Sequence, residues 1–283
     1  LKGVGIIPNW QKKNTFSVVE KIEKFFSDAG IFVNIMEQED EENPLIVSLP
    51  VELESWREQV DMIIVVGGDG TILRVARELS SWKLPILGIN VGHKGFLAEI
   101  EVDDLPDYLE HIISEDYAIS ERIMLEAKLI REEKQVAEFT ALNDVVVTKG
   151  PFSRIIRINA FISDDFLESY TGDGLIIATP TGSTGYSLSA GGPIVNPHLD
   201  VMVITPVCPH SLYNRSVIVD GSEMVTLIVY TWQSEIALTL DGQVGFELLE
   251  GDKVKINKCE EKALLVTFKD RSFYNLLGRK LKE

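Results

Sequence analysis

The chain has 283 residues, 45% hydrophobic and 25% charged, which fits a soluble globular protein of one large domain or two smaller ones. A formal net charge of -17 argues against bulk affinity for nucleic acid or an anionic membrane, and no apolar run approaches the ~18 residues of a membrane span. Cys208 and Cys259, two cysteines far apart, imply no disulfide framework and fit a reducing, cytoplasmic setting. No signal peptide is expected, with a short trim ahead of Leu1 allowed for.

Gly3 to Ile7 reads as a first strand ended by Pro8-Asn9, and Thr15 to Ala29 as an amphipathic helix with Val18, Val19, Ile22, Phe25 and Phe26 inward and Gly30 as its stop. Ile31 to Met36 is a second strand, Glu37 to Asn43 a solvated acidic loop, and Leu53 to Gln59 a short helix. Ile63 to Val66 has the apolar run of a strand buried on both faces of a parallel sheet. It stops in Gly67-Gly-Asp-Gly-Thr71, where glycines allow backbone angles closed to side chains and close approach of a ligand. Thr71 to Leu79 restarts as a helix with Ile72, Val75, Ala76 and Leu79 on one stripe. Leu84 to Ile89 is another strand, Asn90 to Leu97 a second glycine-rich connection, and Leu105 to Ile113 a helix. Residues 1–115 thus form an α/β domain with a doubly wound, Rossmann-like parallel sheet, whose ligands lie beyond the carboxyl ends of the strands.

From about residue 116 strand-length pieces dominate: Met124–Ile130, Ala137–Val147, Arg154–Ile162, Gly174–Ala178, Val201–Thr205, Ser216–Val219, Val225–Tyr230, Glu235–Leu240 and Lys253–Lys258. Glycine turns recur between them, so residues 116–259 read as an all-β domain. Phe273 to Lys282 reads as a basic helix, and residues 260–283 are expected to complete the first domain.

A glycine turn between a strand and a helix N-terminus is a phosphate cradle, with free N–H groups and a favourable dipole. Asp69 inside it is costly beside phosphates unless it holds a metal, takes a proton or binds a sugar hydroxyl. A tight βα turn with a surface Asp fits the same string. Asn143-Asp144 pairs an amide with a carboxylate, suiting a ribose diol or an adenine edge, or simply a strand start. The run Thr179 to Pro193 holds four glycines and six Ser or Thr residues, neutral donors and acceptors on a close-approaching backbone, with Tyr186 able to stack on a ring. Asp241-Gly242-Gln243 fits a hairpin turn. No phosphate-loop lysine motif, complete dinucleotide fingerprint, zinc-like histidine spacing or serine elbow occurs.

Gly67-Gly-Asp-Gly-Thr71 is shared by the NAD kinases, the diacylglycerol and sphingosine kinases and, more distantly, the phosphofructokinases. Leu142-Asn-Asp144, Gly172-Asp-Gly-Leu175, the run 179–193, Cys208-Pro-His-Ser211 and Leu240-Asp-Gly-Gln243 follow in the order of the NAD kinases, and the chain resembles that family over nearly its whole length. The resemblance implies phosphoryl transfer from ATP or inorganic polyphosphate to the 2′-hydroxyl of the adenosine ribose of NAD, with Mg²⁺ or a similar divalent metal, by a homodimer or homotetramer. It implies Asp69 as general base and Gly67, Gly68, Gly70 and Thr71 as the phosphate-donor loop. For NAD binding it implies Asp69, Gly70, Arg74, Phe96, Asn143, Asp144, Arg154, Thr171, Asp173, Thr181, Thr184, Gly185, Tyr186, Ser187, Leu188, Ser189 and Gln243. It assigns no metal ligand from the protein. Three positions depart from the family pattern: Asp144 for Glu, Gly185 for Ala, and Thr171 for Arg or His, which bears on NAD against NADH preference. Two alternatives stand beside this reading: a lipid or sphingoid kinase, and a non-catalytic NAD(P)-sensing module.

Overall fold

The computed structural model describes residues 1–37, 51–92, 95–210, 215–231, 235–269 and 272–280. The expected acidic loop beyond Glu37, His93 and Lys94 of the second glycine connection, Ser211, and the last residues of the basic helix lie outside them. The chain divides into two compact units, Leu1–Glu121 with Ala263–Glu283, and Arg122–Lys262.

In the first unit, β1 (Gly3–Pro8), α1 (Thr15–Asp28), β2 (Phe32–Ile35), β3 (Met62–Gly67), α2 (Asp69–Leu79), β4 (Ile86–Asn90), the short β5 (Ile100–Glu101) and α3 (Leu105–Ile113) alternate as expected of a doubly wound sheet. The expected helix after Leu53 is a 3-10 turn, Val51–Trp56. Strand pairs β2–β1, β1–β3, β3–β4 and β4–β5 are all parallel. β3 is buried throughout. Met62, Ile64 and Val66 join Val18, Ile22 and Phe26 of α1 and Leu105, Leu109 and Ile112 of α3 in one core. On α2 the stripe Ile72, Val75, Ala76 and Leu79 is buried. α1 ends as its glycine dictates: Gly30 has φ +74°, and Ile31 N–H donates to Phe26 O at 2.9 Å.

The second unit holds two sheets of antiparallel strands. One contains β10 (Asp165–Gly172), β9 (Ile156–Ile162), β14 (Val225–Tyr230) and the start of β17 (Lys253–Thr267), with β6 (Ala118–Arg131) pairing β17 and β7 (Lys134–Ala141). The other has the order β13 (Val217–Asp220), β12 (Val201–Val207), β11 (Gly174–Ala178), β8 (Asp144–Lys149), β15 (Ile236–Leu240), β16 (Val244–Leu248). Inward residues of both sheets, among them Leu125, Val145, Ile158, Leu175, Leu227, Leu238 and Val254, form one core. The α/β and β-rich fold class is as the sequence indicates.

Three details differ from expectation. Ala137–Val147 is two strands, broken at Leu142-Asn143, and β10 and β16 are additional. The run after Thr179 folds into a 3-10 turn, Gly182–Thr184, and the short helix α4, Tyr186–Ser189. β17 extends well past Lys258; Leu265 pairs in parallel with Ile86 of β4, and α5 (Phe273–Lys280) follows. Among the described residues no helix is long and apolar enough to cross a membrane.

Candidate active site

The strand order β4–β3–β1–β2 reverses direction between β1 and β3, and open α/β sheets bind ligands outside the carboxyl ends of strands at such a point. Pro8-Asn9 ends one of these strands and Gly67-Gly68-Asp69 the other. Asn9 ties the ends together: its N–H donates to Val66 O at 2.8 Å and its Nδ2 to Thr71 Oγ1 at 3.3 Å. None of Gly67, Gly68 and Gly70 takes the positive φ expected of them; the turn needs space instead. A Cβ on Gly67 would stand 2.6 Å from Thr71 Oγ1 and 2.8 Å from its Cβ. Gly68 is an extended N-cap with open space around its Cα, and Gly70 lies exposed in the first turn of α2.

Asp69, half-buried, opens α2, where its charge complements the helix dipole. Its carboxylate reaches the second glycine connection. Oδ2 accepts the Phe96 N–H at 2.6 Å, and Oδ1 accepts those of Leu97 and Ala98 at 3.1 and 3.4 Å. Gly95 is obligatory beside it, since a Cβ there would overlap the carboxylate. A carboxylate has about four acceptor positions, so three filled by backbone hold the group in one orientation and leave about one for a ligand. Asn90, buried at the end of β4, braces the same connection through Gly92 N–H at 3.1 Å and Glu101 at 2.9 Å. Arg74, half-buried on α2, has a buried Nε without a hydrogen-bond partner.

In the second unit Asn143 and Asp144 stand at the break between β7 and β8. Three N–H groups there, of Leu142, Asn143 and Asp144, donate to the Asp241 carboxylate at 3.1, 2.7 and 3.2 Å. Thr179 closes the other side, its Oγ1 donating to Leu142 O at 2.6 Å and accepting Gly182 N–H at 3.0 Å. Asn143 Oδ1 is buried with no partner. Asp144 is 4% exposed; burial, and secondarily the Asp241 carboxylate, pushes its pKa up to about 7. Gly185 faces this pair: a Cβ on it would lie 3.5 Å from Asn143 Nδ2 and 3.8 Å from Asp144 Oδ2.

The hydroxyl run divides. Thr179, Thr181, Ser183 and Ser187 are buried, with Ser187 Oγ bonded to Thr205 Oγ1 at 3.0 Å and Thr181 Oγ1 accepting from Arg122 at 3.4 Å. Thr184 and Leu188 are half-buried, and Tyr186 and Ser189 exposed. Burial raises the Tyr186 pKa, with Cys208, Asp173 and Asp144 adding to it. Asp173 pairs with Lys149 at 3.6 Å, and the Thr171 carbonyl accepts the His210 N–H at 2.8 Å. Arg154 is exposed in the connection before β9, and Gln243 closes the β15–β16 hairpin through its N–H to Leu240 O at 2.9 Å. Sequence reasoning missed the bracing roles of Asn9, Asn90 and Asp241, which show only once distant segments meet.

Comparison with known proteins agrees over both units. The family model described as the ATP-NAD kinase N-terminal domain matches residues 4–117, and that of the ATP-NAD kinase C-terminal domain residues 142–268. The NAD kinase of Natranaerobius thermophilus is 46% identical over 281 residues, 99% of this chain and 98% of that protein. That of Caldanaerobacter subterraneus subsp. tengcongensis is 40% identical over 290 residues, covering 100% of both. In fold, the chain is similar to yeast NADH kinase complexed with NADH (TM-score 0.84, 24% identity, 100% of this chain and 87% of that one). It is likewise similar to an NAD kinase from Archaeoglobus fulgidus in complex with ATP (TM-score 0.79, 24% identity, 98% of each). The lipid-kinase and sensing-module alternatives find no support in these matches. With both family models matched and full-length relatives at this identity, the chain belongs to the NAD kinase family.

Proposed function

We propose that the protein transfers a phosphoryl group from ATP or polyphosphate to the 2′-hydroxyl of the adenosine ribose of NAD, giving NADP, with Asp69 as general base. One observation carries the role of Asp69: a carboxylate at the sheet's switch point, immobilised by three backbone N–H groups and retaining about one acceptor position. A fixed base within hydrogen-bond reach takes the hydroxyl proton as the oxygen attacks phosphorus and the donor's remaining phosphates leave. Gly67, Gly68, Gly70 and Thr71 cradle the donor phosphates at the N-terminus of α2.

Beside Asp69, Gly70, Arg74 and Phe96, residues of the second unit supply further NAD contacts. Asn143 offers a buried, unpartnered acceptor and Asp144 a carboxyl beside it, a donor and acceptor set that suits a ribose diol. Tyr186 supplies an exposed ring for stacking, and Gly185 leaves room for the ribose or base to approach. Arg74 and Arg154 offset the phosphates of a ligand approaching a chain of net charge -17. Among the described residues no three His, Cys, Asp or Glu side chains are grouped to hold a metal ion. In this reading Mg²⁺ enters with the donor, whose phosphate oxygens it prefers. Two free cysteines accord with a cytoplasmic setting.

The test uses purified protein with Mg²⁺-ATP or polyphosphate and, in turn, NAD, NADH and a sphingoid base. NADP or NADPH formation that is lost in D69N supports the reading. Phosphorylation of the lipid alone, or nucleotide binding without transfer, overturns it.

A further inference from the structure

We propose that Asp241 is the positioning residue of the ribose-binding pair, its carboxylate fixing Asn143 and Asp144 by accepting three consecutive backbone N–H groups. The inference rests on the reading of that pair as the ribose site. The carboxylate stands at the tip of the hairpin joining β15 and β16, 98 residues from Asn143 in sequence. Oδ2 takes the Leu142 N–H at 3.1 Å, and Oδ1 takes those of Asn143 and Asp144 at 2.7 and 3.2 Å. The Asp241 N–H returns a bond to Asp144 O at 3.0 Å, so the two segments are joined in both directions.

The turn alone does not account for an acid here. Asp241 and Gly242 both have positive φ, +52° and +65°, as the central residues of a type I′ turn do, in a three-residue connection between Leu240 and Val244. Asn fills the first position of such a turn at least as well as Asp. What Asn lacks is the second oxygen: an amide presents one acceptor atom and would turn its NH₂ toward a backbone N–H. The acid also carries a cost that a turn has no reason to accept. Its charge adds to burial in holding the Asp144 carboxyl protonated up to about pH 7. Asp241 is the charged neighbour acting on Asp144, while Tyr186 of α4, itself influenced by Asp144, is neutral over the same range. Three neighbouring N–H groups collected by one side chain at the interruption between β7 and β8 give the pair its fixed direction toward Gly185.

D241N separates clamping from turn formation. The expected result is a KM for NAD raised about tenfold with kcat within about threefold, since ground-state binding is what the clamp supports. A second readout follows the charge. NAD affinity weakens as Asp144 gains its proton, so kcat/KM for NAD has an acid limb near pH 7. In D241N the negative neighbour is gone and that limb moves to lower pH, which a purely structural role would not produce. Wild-type KM together with an unmoved limb in D241N overturns the inference. Amide exchange in the unliganded wild type decides it independently of any variant's folding: Leu142, Asn143 and Asp144 N–H must be protected, and fast exchange there overturns the clamp. Wild-type protein that forms no NADP would sink the kinase reading but leave the exchange result standing, so the two failures are distinguishable.

Discussion

Replacing Asp69 by Asn tests the chemistry and the anchoring of this group together. The carboxylate accepts the N–H groups of Phe96, Leu97 and Ala98. An amide keeps one acceptor oxygen, so D69N forfeits one or two of these bonds at about 1 kcal/mol each where water can substitute. D69A forfeits all three, about 3 kcal/mol, which raises local opening of residues 96–98 roughly hundredfold. The proposed proton-accepting role is lost equally in both, and general bases contribute about 10²–10⁴-fold to rate. The expected pattern is that D69N loses kcat by about 10³-fold or more while NAD affinity stays within about tenfold. D69A loses as much rate and also shows fast amide exchange at Phe96, Leu97 and Ala98. NADP formation read through an NADP-specific dehydrogenase gives the rate, calorimetric titration gives affinity, and exchange mass spectrometry gives the anchoring. D69N with kcat within threefold of wild type would refute the general-base assignment. D69A with protected amides at 96–98 would refute the anchor.

Gly95→Ala places a Cβ on the Asp69 carboxylate and must displace it; kcat is expected to fall about 10²-fold with little change in melting temperature, and unchanged kcat would show that the acid tolerates movement. Asp144, normally near pKa 3.8 and raised to about 7 in the fold, binds its proton more tightly when folded. Its stabilising contribution is full below about pH 4 and is lost as pH rises through 7, an order-of-magnitude cost of about 4 kcal/mol. D144N should therefore gain most in urea midpoint over wild type at pH 8 and little at pH 4, and a pH-independent difference would count against the buried acid. Cys208 is exposed, whereas Cys259 is buried with its thiol pushed up to about 11. One thiol is expected to react with Ellman's reagent in the native protein and two in denaturant, and native labelling of Cys259 would contradict its burial.

The parts of the fold that were legible are those where burial constrains both faces. β1, β3 and β4 are wholly buried and read as continuous apolar runs, so the alternation of the first unit was plain. β10 and β16 lie at the ends of their sheets, with mostly partly or fully exposed residues, and edge position relaxes the apolar pattern that would have announced them. Ala137–Val147 read as one strand, although Asn143-Asp144 within it also fitted a strand start. The interruption at Leu142-Asn143 comes from N–H groups turned to Asp241 instead of a neighbouring strand. α4 spans four residues, too few to display a helical period. In the site, Asp69, Asn143 and Asp144 were named from motifs, but what holds each in place is long-range and invisible along the chain.

The two units solve one physical problem in the same way. A carboxylate that fixes part of a site must be held still, and backbone N–H groups can do this without a charged partner. Asp69 in one unit and Asp241 in the other are each held by three consecutive backbone N–H groups. Backbone donors cost no side-chain entropy to aim once the segment is folded, and they carry no net charge that would compete for a phosphate. They do require the receiving segment to turn so that successive N–H groups point one way, which no strand ladder allows. That requirement explains why both acids sit opposite irregular backbone: the connection after Gly95 and the break before β8. The glycines and the strand break at these places are therefore the means by which the fold turns successive N–H groups onto one carboxylate.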